Sequence, residues 1–327
     1  MSKIYESLRN IGRKMQKSDA GNWFFNKVRI RMGKRNEKKY NDFEYLTNEY
    51  IRRTGEEINL VNPQRYSEKL QWLKLFYRND AMPICSDKYL VREYIEKKGY
   101  GHLLNNLLFV YDNGKDINPK ELPERFAMKT NHGSSWNLIC TDKSKVNWFW
   151  WKRIFNCWLK RNLYTFGREW NYQHIDRKII VEEYLDHSPL VDYKFMCFNG
   201  EPKYLQINHD INGKHFVDFL DINWEKKDFT YTNYEKSDIL VEKPEQFEEM
   251  KKIARDLAQD FPYVRVDFYN FDGRIIFGEL TFFPGGGFQY PTPVEYDYIL
   301  GKELTLPKPN FNHELYKKLV EAEKNKT

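Results

Sequence analysis

The sequence predicts an α+β protein. Three observations carry that expectation. Apolar residues recur every three or four positions through most of the first hundred residues; short apolar runs punctuated by Asn, Gly and Pro follow; and strands and helices then mix without the regular alternation of a doubly wound parallel sheet. With 327 residues, 41% hydrophobic and 17% aromatic, the chain can bury a sizeable core, in one large domain or two smaller ones.

Taken in order, residues 3–55 carry helical patterning with dispersed charge, as in Ile4, Leu8 and Ile11, and a polar stretch covers Gly33 to Lys39. Residues 1–40 hold twelve basic and three acidic side chains, a charge of +9; with +6 overall, the remainder carries −3. This basic arm suits anionic lipid or nucleic acid, and a solvated helical face explains it equally well. Asn62-Pro63 opens a new unit. SEKLQWLKLFYR places Leu70, Leu73 and Phe76 on one helical face with Ser67 as its cap, and SDKYLVREYIEKKG reads as a helix capped at Ser86 and ended by Gly99. LLFVY (107–111), RFAMK (125–129) and LIC (138–140) read as strands. Trp148, Trp151, Phe155 and Trp158 form the aromatic face of a helix, better suited to core packing than to a ligand. KIIVEEYL, YKFMCF and KYLQIN are further strands, the last two joined by an Asn199-Gly200 hairpin turn. Phe247, Met250, Ile253, Ala254 and Leu257 make an amphipathic helix.

Four dispersed cysteines without a C-x-x-C pair signal neither a zinc site nor a disulfide framework and suit reduced, cytoplasmic thiols. No apolar run is long enough to span a membrane, and the N-terminus lacks the apolar centre of a signal peptide. No Walker loop and no complete dinucleotide fingerprint occur.

The chemistry concentrates in RVDFYNFDGRIIFGELTFFPGGG, residues 265–287, where Arg265, Asp267, Glu279 and Thr281 interrupt an apolar alternation. Arg265 and Asp267 share one face of their strand by the period of two. A two-residue Asp-Gly turn would set Glu279 on the opposite face. A three-residue Phe271-Asp272-Gly273 turn would pair Asn270 with Arg274 and bring Glu279 to Asp267, and this second turn is the one expected. Facing carboxylates in an apolar sheet call for a proton or a hard cation such as Mg²⁺, with Thr281 adding an oxygen; the plainer alternative is an Arg265–Glu279 ion pair with Asp267 solvated. AMKTNHGSSWN, residues 127–137, adds a lysine at a strand end before a Gly-Ser-Ser turn, a cradle for phosphate oxygens.

In order, Lys-x-x-x-Gly-Ser-Ser, Glu-Glu-Tyr-Leu, Arg-x-Asp and Glu-x-Thr-x-x-Pro-Gly resemble the ATP-grasp superfamily of carboxylate ligases. SDKYLVREYIEKKG, FAMKTNHGSSWN, IIVEEYL, DYKFMCFNGEP, RVDFY and FGELTFFPGGG resemble more closely its TupA-like members from bacterial capsule and cell-surface polymer clusters, over about Asn62 to Gly301. The resemblance implies an ATP-grasp fold of two α+β subdomains gripping ATP, at residues 59–310. Within it a glycine-rich-loop subdomain is expected near 125–185 and a metal-binding subdomain near 186–305, with a basic helical region at 1–58 and a C-terminal helix or tail at 311–327. It implies that Lys129, Gly133, Ser134 and Ser135 hold ATP phosphates, together with Arg92 or its rival Lys88. Glu182, Glu183, Tyr184 and Leu185 would form the adenine hinge. Lys194 would contact phosphate or substrate, Arg265 would steady the charged intermediate, and Asp267 and Glu279 would bind Mg²⁺, with Thr281 standing where the superfamily commonly has Asn.

The implied reaction is an ATP-dependent carboxylate–amine ligation through an acylphosphate, with ATP and Mg²⁺ as cofactors. Its substrates would be an amine or amino acid and a small-molecule or saccharide carboxylate such as a uronic acid, in capsule or polysaccharide biosynthesis. A cytoplasmic location, with peripheral contact to the inner membrane face through residues 1–40 and no nucleic-acid partner, is expected. The alternatives are a capsule glycosyltransferase, for which Asp218 and Asp221 in VDFLD are offered against a reading as surface carboxylates, and a catalytically degenerate ATP-binding module.

Overall fold

In the computed structural model, residues 12, 14–186, 191–211, 213–239, 241–271 and 273–325 are described; Ile4, Leu8 and Ile11 lie outside them. The chain divides into two compact units. Unit 1 takes the described residues of Met1–Glu56 with Asp87–Val91 and Asn105–Asp186, and unit 2 takes Glu57–Ser86, Arg92–Leu104 and the described residues of His187–Thr327.

Unit 1 begins with α1 (Asp19–Lys39) and α2 (Asp42–Thr54), each started by a side chain that accepts an orphan N–H, Ser18 for α1 and Asn41 in a capping box for α2. α1 therefore runs straight through the polar Gly33–Lys39 stretch. Strands β1 (Leu107–Tyr111), β2 (Phe126–Thr130), β3 (Asn137–Cys140) and β4 (Ile179–Glu183) form an antiparallel sheet in the order β1-β4-β2-β3. Alternation sends Phe126, Met128, Ile179 and Val181 to one face, where they pack with Ile154, Phe155 and Trp158 of α6 (Trp148–Trp158); the aromatic face of that helix is core, as its spacing predicts. α1 packs on α6, with Trp23 and Trp150 rings 5.8 Å apart, and α7 (Tyr164–Gly167) also borders α1.

In unit 2 the helices are α3 (Tyr66–Phe76), α4 (Ala81–Ser86), α5 (Val91–Lys97, its first residue assigned to unit 1), α8 (Phe247–Ala258), α9 (Glu295–Glu303) and α10 (His313–Lys324). Strands β5 (Asp192–Phe198), β6 (Glu201–Ile211), β7 (Lys214–Asp221), β8 (Lys226–Lys227), β10 (Tyr263–Phe271) and β11 (Arg274–Thr281) form one antiparallel sheet in the order β11-β10-β5-β6-β7-β8; the short β9 (Thr230–Tyr231) pairs with β12 (Pro291–Thr292). The apolar stripe of α8 covers the face bearing Phe195, Cys197, Val264, Val266 and Phe268. Period two leaves Lys194, Arg265 and Asp267 on the other face.

Two expected caps are corrected. Ser67 does not start α3: its N–H and hydroxyl both bond the Asp297 carboxylate (2.9 and 2.6 Å), while Glu68 accepts from the N–H groups of Asn59, Gln64 and Arg65. Ser86 ends α4, donating back to Met82 O (2.7 Å), and Asp87 instead accepts the first N–H groups of the next turn, from Tyr89 and Leu90. Asn199 and Gly200, at φ +50° and +86°, make the predicted hairpin turn. All four cysteines are buried free thiols. Among the described residues no helix is long and apolar enough to cross a membrane.

Candidate active site

In unit 1, Lys129 sits on the sheet face opposite the core, next but one to Ala127 and opposite Ile180. Its ammonium lies 2.7 Å from the Glu182 carboxylate. That face stays open and apolar around the pair: Ile139 is 54% exposed, Leu108 39% and Val110 37%. Beyond β2 the chain turns at residues 131–136. Asn131, fully buried, anchors the turn by donating to Asp176 O (2.7 Å) and accepting from Lys178 N–H (2.8 Å). His132 is buried against Trp136, and burial, with Arg177 adding to it, pulls its pKa down to about 3, so the ring is neutral at physiological pH. A Cβ at Gly133 would stand 2.2 Å from the Trp136 ring, so only glycine lets the backbone pass there. Ser134 and Ser135 are exposed at the tip, Ser135 at φ +58°. Lys88 donates from Nζ to Gly133 O (2.9 Å), whereas Arg92 lies on α5 within unit 2.

Of Glu182, Glu183, Tyr184 and Leu185, expected as an adenine hinge, the first two end β4 and the other two follow it within unit 1. Asn105 Nδ2 donates to Glu183 O (2.9 Å), Asn106 Nδ2 to the Glu183 carboxylate (2.7 Å), and the Arg125 guanidinium stacks on the Tyr184 ring at 4.3 Å. Sequence reasoning missed Asn105, Asn106, Asn131 and His132. The Asn-rich edges of the strand runs were the available signal.

In unit 2 one row of the sheet aligns Glu279, Asp267, Lys194 and Gln206 across four strands. The turn that achieves this differs from the expected one. Phe271 pairs with Arg274, so the loop has two residues, with Gly273 at φ +78°; carried on unbroken, that register would set Asp267 opposite Gly278 and turn Glu279 away. The ladder instead slips between Phe268↔Phe277 and Asp267↔Glu279, making Gly278 the extra residue of a β-bulge. A side chain there would crowd Asp267 O at 3.0 Å. The two carboxylates thus face the same way by a device other than turn length.

Asp267 is 3% exposed and its carboxylate is held on both oxygens: Arg265 donates from Nε (2.7 Å) and Nη2 (2.6 Å), and Lys194 Nζ from 3.0 Å. The solvated Asp267 of the plainer alternative is therefore absent, and its ion pair is reversed, with Arg265 closer to Asp267 than to Glu279, 3.6 Å away. Burial would push protons off both cations, but Asp267 outweighs it and raises the pKa of Lys194 and of Arg265 above their ordinary values. Asp192 also lies 3.0 Å from Lys194. Thr281 Oγ1 donates to Glu279 Oε1 (3.1 Å) and accepts from Arg265 Nη2 (3.3 Å).

Three carboxylates against two cations leave this cluster net negative, and its oxygens are hard donors, so the residues suit a hard divalent cation. Among the described residues no group of three or more His, Cys, Asp or Glu forms a closed metal cage, which Mg²⁺ shared with phosphate oxygens does not require. Asp218 and Asp221 are committed elsewhere. Asp218 is 2% exposed, bound by His209, Lys226 and Ser237, and is thus no surface group; Asp221 pairs with Lys227.

Residues 68–305 match the family model of TupA-like ATP-grasp proteins. The chain belongs to that family. ATP-grasp proteins are ligases that form carbon–nitrogen bonds and convert ATP to ADP. No curated protein matches the chain. Among solved structures it is similar to the D-alanine–D-alanine ligase of Helicobacter pylori (13% identity, 75% of this chain and 68% of that one, TM-score 0.40). It is similar also to the Bacillus anthracis D-alanine–D-alanine ligase complexed with ATP (15%, 61% and 55%, 0.36) and to N5-carboxyaminoimidazole ribonucleotide synthetase of Thermotoga maritima (12%, 61% and 42%, 0.31). The chain spans about half the length of the last two.

Proposed function

We propose that this TupA-like ATP-grasp protein is an ATP-dependent carboxylate–amine ligase: ATP phosphorylates a carboxylate, and an amine displaces the phosphate to leave an amide, ADP and phosphate. The observation that carries the reading is the row Glu279–Asp267–Lys194 with Arg265, a charged cluster on an otherwise packed sheet.

In unit 1, the open apolar face around Ile139, Leu108 and Val110 suits a purine base, with the Lys129–Glu182 pair at its edge. Lys129, Lys88 and the N–H and hydroxyl groups of Gly133, Ser134 and Ser135 would hold phosphate oxygens, and Arg92 is retained as a further phosphate contact. Closure of the exposed serine tip would exclude water, which otherwise hydrolyses an acylphosphate. The hinge Glu182–Leu185 would present backbone groups to the base. In unit 2, Asp267, Glu279 and the Thr281 hydroxyl would hold Mg²⁺, which supplies charge compensation to transferring phosphate oxygens. Arg265, freed in part from Asp267, donates to the oxygen that becomes negative when the amine attacks, and Lys194 orients a phosphate or substrate oxygen.

The carboxylate substrate we favour is a saccharide acid such as a uronic acid, joined to an amine or amino acid during capsule or cell-surface polymer synthesis at the inner face of a bacterial membrane. The +9 charge of residues 1–40 supports that location. The test is ADP release across a panel of uronic acids, sugar-nucleotide uronates and amino acids, with sugar-nucleotide consumption followed in parallel. ADP formation that needs one acid and one amine together is expected; sugar transfer without ATP turnover would sink the ligase reading.

A further inference from the structure

Apart from the residues just described, unit 1 contains a cavity of about 240 Å³ whose wall is strongly basic. Arg29 and Lys34 reach it from α1, Lys160 and Arg161 from the segment after α6, and Arg177 from the approach to β4; Glu37 is its one carboxylate. The wall is built rather than accidental. Gly33 lets α1 close on α7, because a Cβ there would stand 2.7 Å from Thr165 Oγ1 and 3.2 Å from the Phe166 ring. Asn26, buried, spends its amide N–H groups on Asn22 (2.9 Å to each oxygen), which fixes its Oδ1 to accept from Arg161 Nη1 (2.8 Å).

Arg161 and Arg177 are held in place by neutral groups. Arg161 stacks on the Trp136 ring at 4.4 Å, Arg29 lies on the Phe166 ring at 3.7 Å, and Arg177 donates to Leu159 O (2.9 Å). Among the described residues neither Arg161 nor Arg177 has a carboxylate at ion-pair distance, and Arg161 Nε is buried without a hydrogen-bond partner. Burial, with Arg29 adding to it, pulls the pKa of Arg161 down to about 9. Gathering like charges in a partly desolvated wall is unfavourable unless something negative joins them. Guanidinium forks match the geometry of tetrahedral oxyanions, and the volume suits a phosphate or diphosphate group better than a whole nucleotide.

We propose that this cavity is a second anion site that binds a phosphate-bearing ligand, separate from the nucleotide loop at Lys129 and Gly133–Ser135. It goes beyond the ligase reading and does not need turnover to be tested. The chemistry is the same whether the phosphate is free or carried on a lipid.

The probe is radiolabelled pyrophosphate in equilibrium dialysis with the full chain, without added metal and with saturating ADP present. About one equivalent retained per chain is expected, weakened about tenfold by Arg161→Gln and by Arg177→Gln, and unchanged by Lys129→Met. Lys34→Gln combined with Lys160→Gln, both exposed, gives the same readout should either arginine variant fail to fold. Phosphatidylcholine vesicles with and without phosphatidic acid separate the sources: capture by the acidic vesicles that pyrophosphate reverses assigns the lipid-borne phosphate to this cavity. No retention in the presence of ADP, together with no reversible vesicle capture, overturns the proposal. So does binding that both arginine variants leave intact.

Discussion

Asp267 and Glu279 are chemically alike, yet their surroundings make their substitution effects separable. Asp267 compensates two buried cations, so Asp267→Asn should lose metal-dependent ADP release and also about 3–5 kcal/mol of stability, the usual consequence of leaving a buried charge uncompensated. Glu279, with a side chain 38% exposed, should lose the turnover as Gln while its unfolding free energy moves by no more than about 0.5 kcal/mol. Denaturant unfolding beside ADP release checks the contrast; equal stability losses would mean the two carboxylates are structurally equivalent. His132 carries a pH dependence of its own. Its folded pKa, held near 3 by burial, lies below the ordinary histidine value, so the unfolded chain binds a proton that the folded chain refuses. Stability from this residue is complete above roughly pH 6.5 and falls by about 1.4 kcal/mol per pH unit as pH drops from there toward 3. His132→Asn should flatten that slope between pH 6 and 4 in chemical denaturation, and an unchanged slope would assign it to the carboxylates instead.

At the scale of elements, the carboxylates meet because of a bulge, which makes Gly278 a strong point of the hairpin. Gly278→Val should cost about 1–3 kcal/mol through its contact with Asp267 O and lower turnover more than substitution of the exposed Arg274 in the same strand. Gly133→Ala should displace Trp136 and raise the KM for ATP more than it lowers kcat, because it disturbs the loop proposed to hold phosphate and leaves the acidic row alone. These elements also show what could be read from residue order. Strands and helices with clean periods two and 3.6, such as Phe126–Thr130, Tyr263–Phe271 and Phe247–Ala258, were legible because their apolar faces specify burial locally. The register of the hairpin was not, since both candidate turns place Gly273 in the left-handed region. An isolated glycine inside a strand pattern, Gly278, was the signal that pointed to the bulge. Ser67 as a cap and Asp218 as a surface carboxylate failed for a different reason: both are claimed by partners distant in sequence, Asp297 for the first and His209 and Ser237 for the second, which no local window contains.

For the whole molecule, charge and reaction chemistry lead to separate experiments. The outward side of α1 exposes Phe24, Val28 and Met32 among Lys27, Arg31 and Arg35, so the basic region is apolar as well as charged. The chain should sediment with phosphatidylglycerol-containing vesicles and not with phosphatidylcholine alone, with binding reduced at high salt; indifference to lipid charge would remove the membrane from the account. The acylphosphate is tested with the acid and amine that the ADP-release panel selects. With the carboxylate labelled with ¹⁸O, a reaction through an acylphosphate must pass one labelled oxygen into the inorganic phosphate at each turnover. Phosphate carrying that label, formed only with MgATP and lost in Glu279→Gln, is the predicted result; unlabelled phosphate released in step with amide formation would contradict the mechanism.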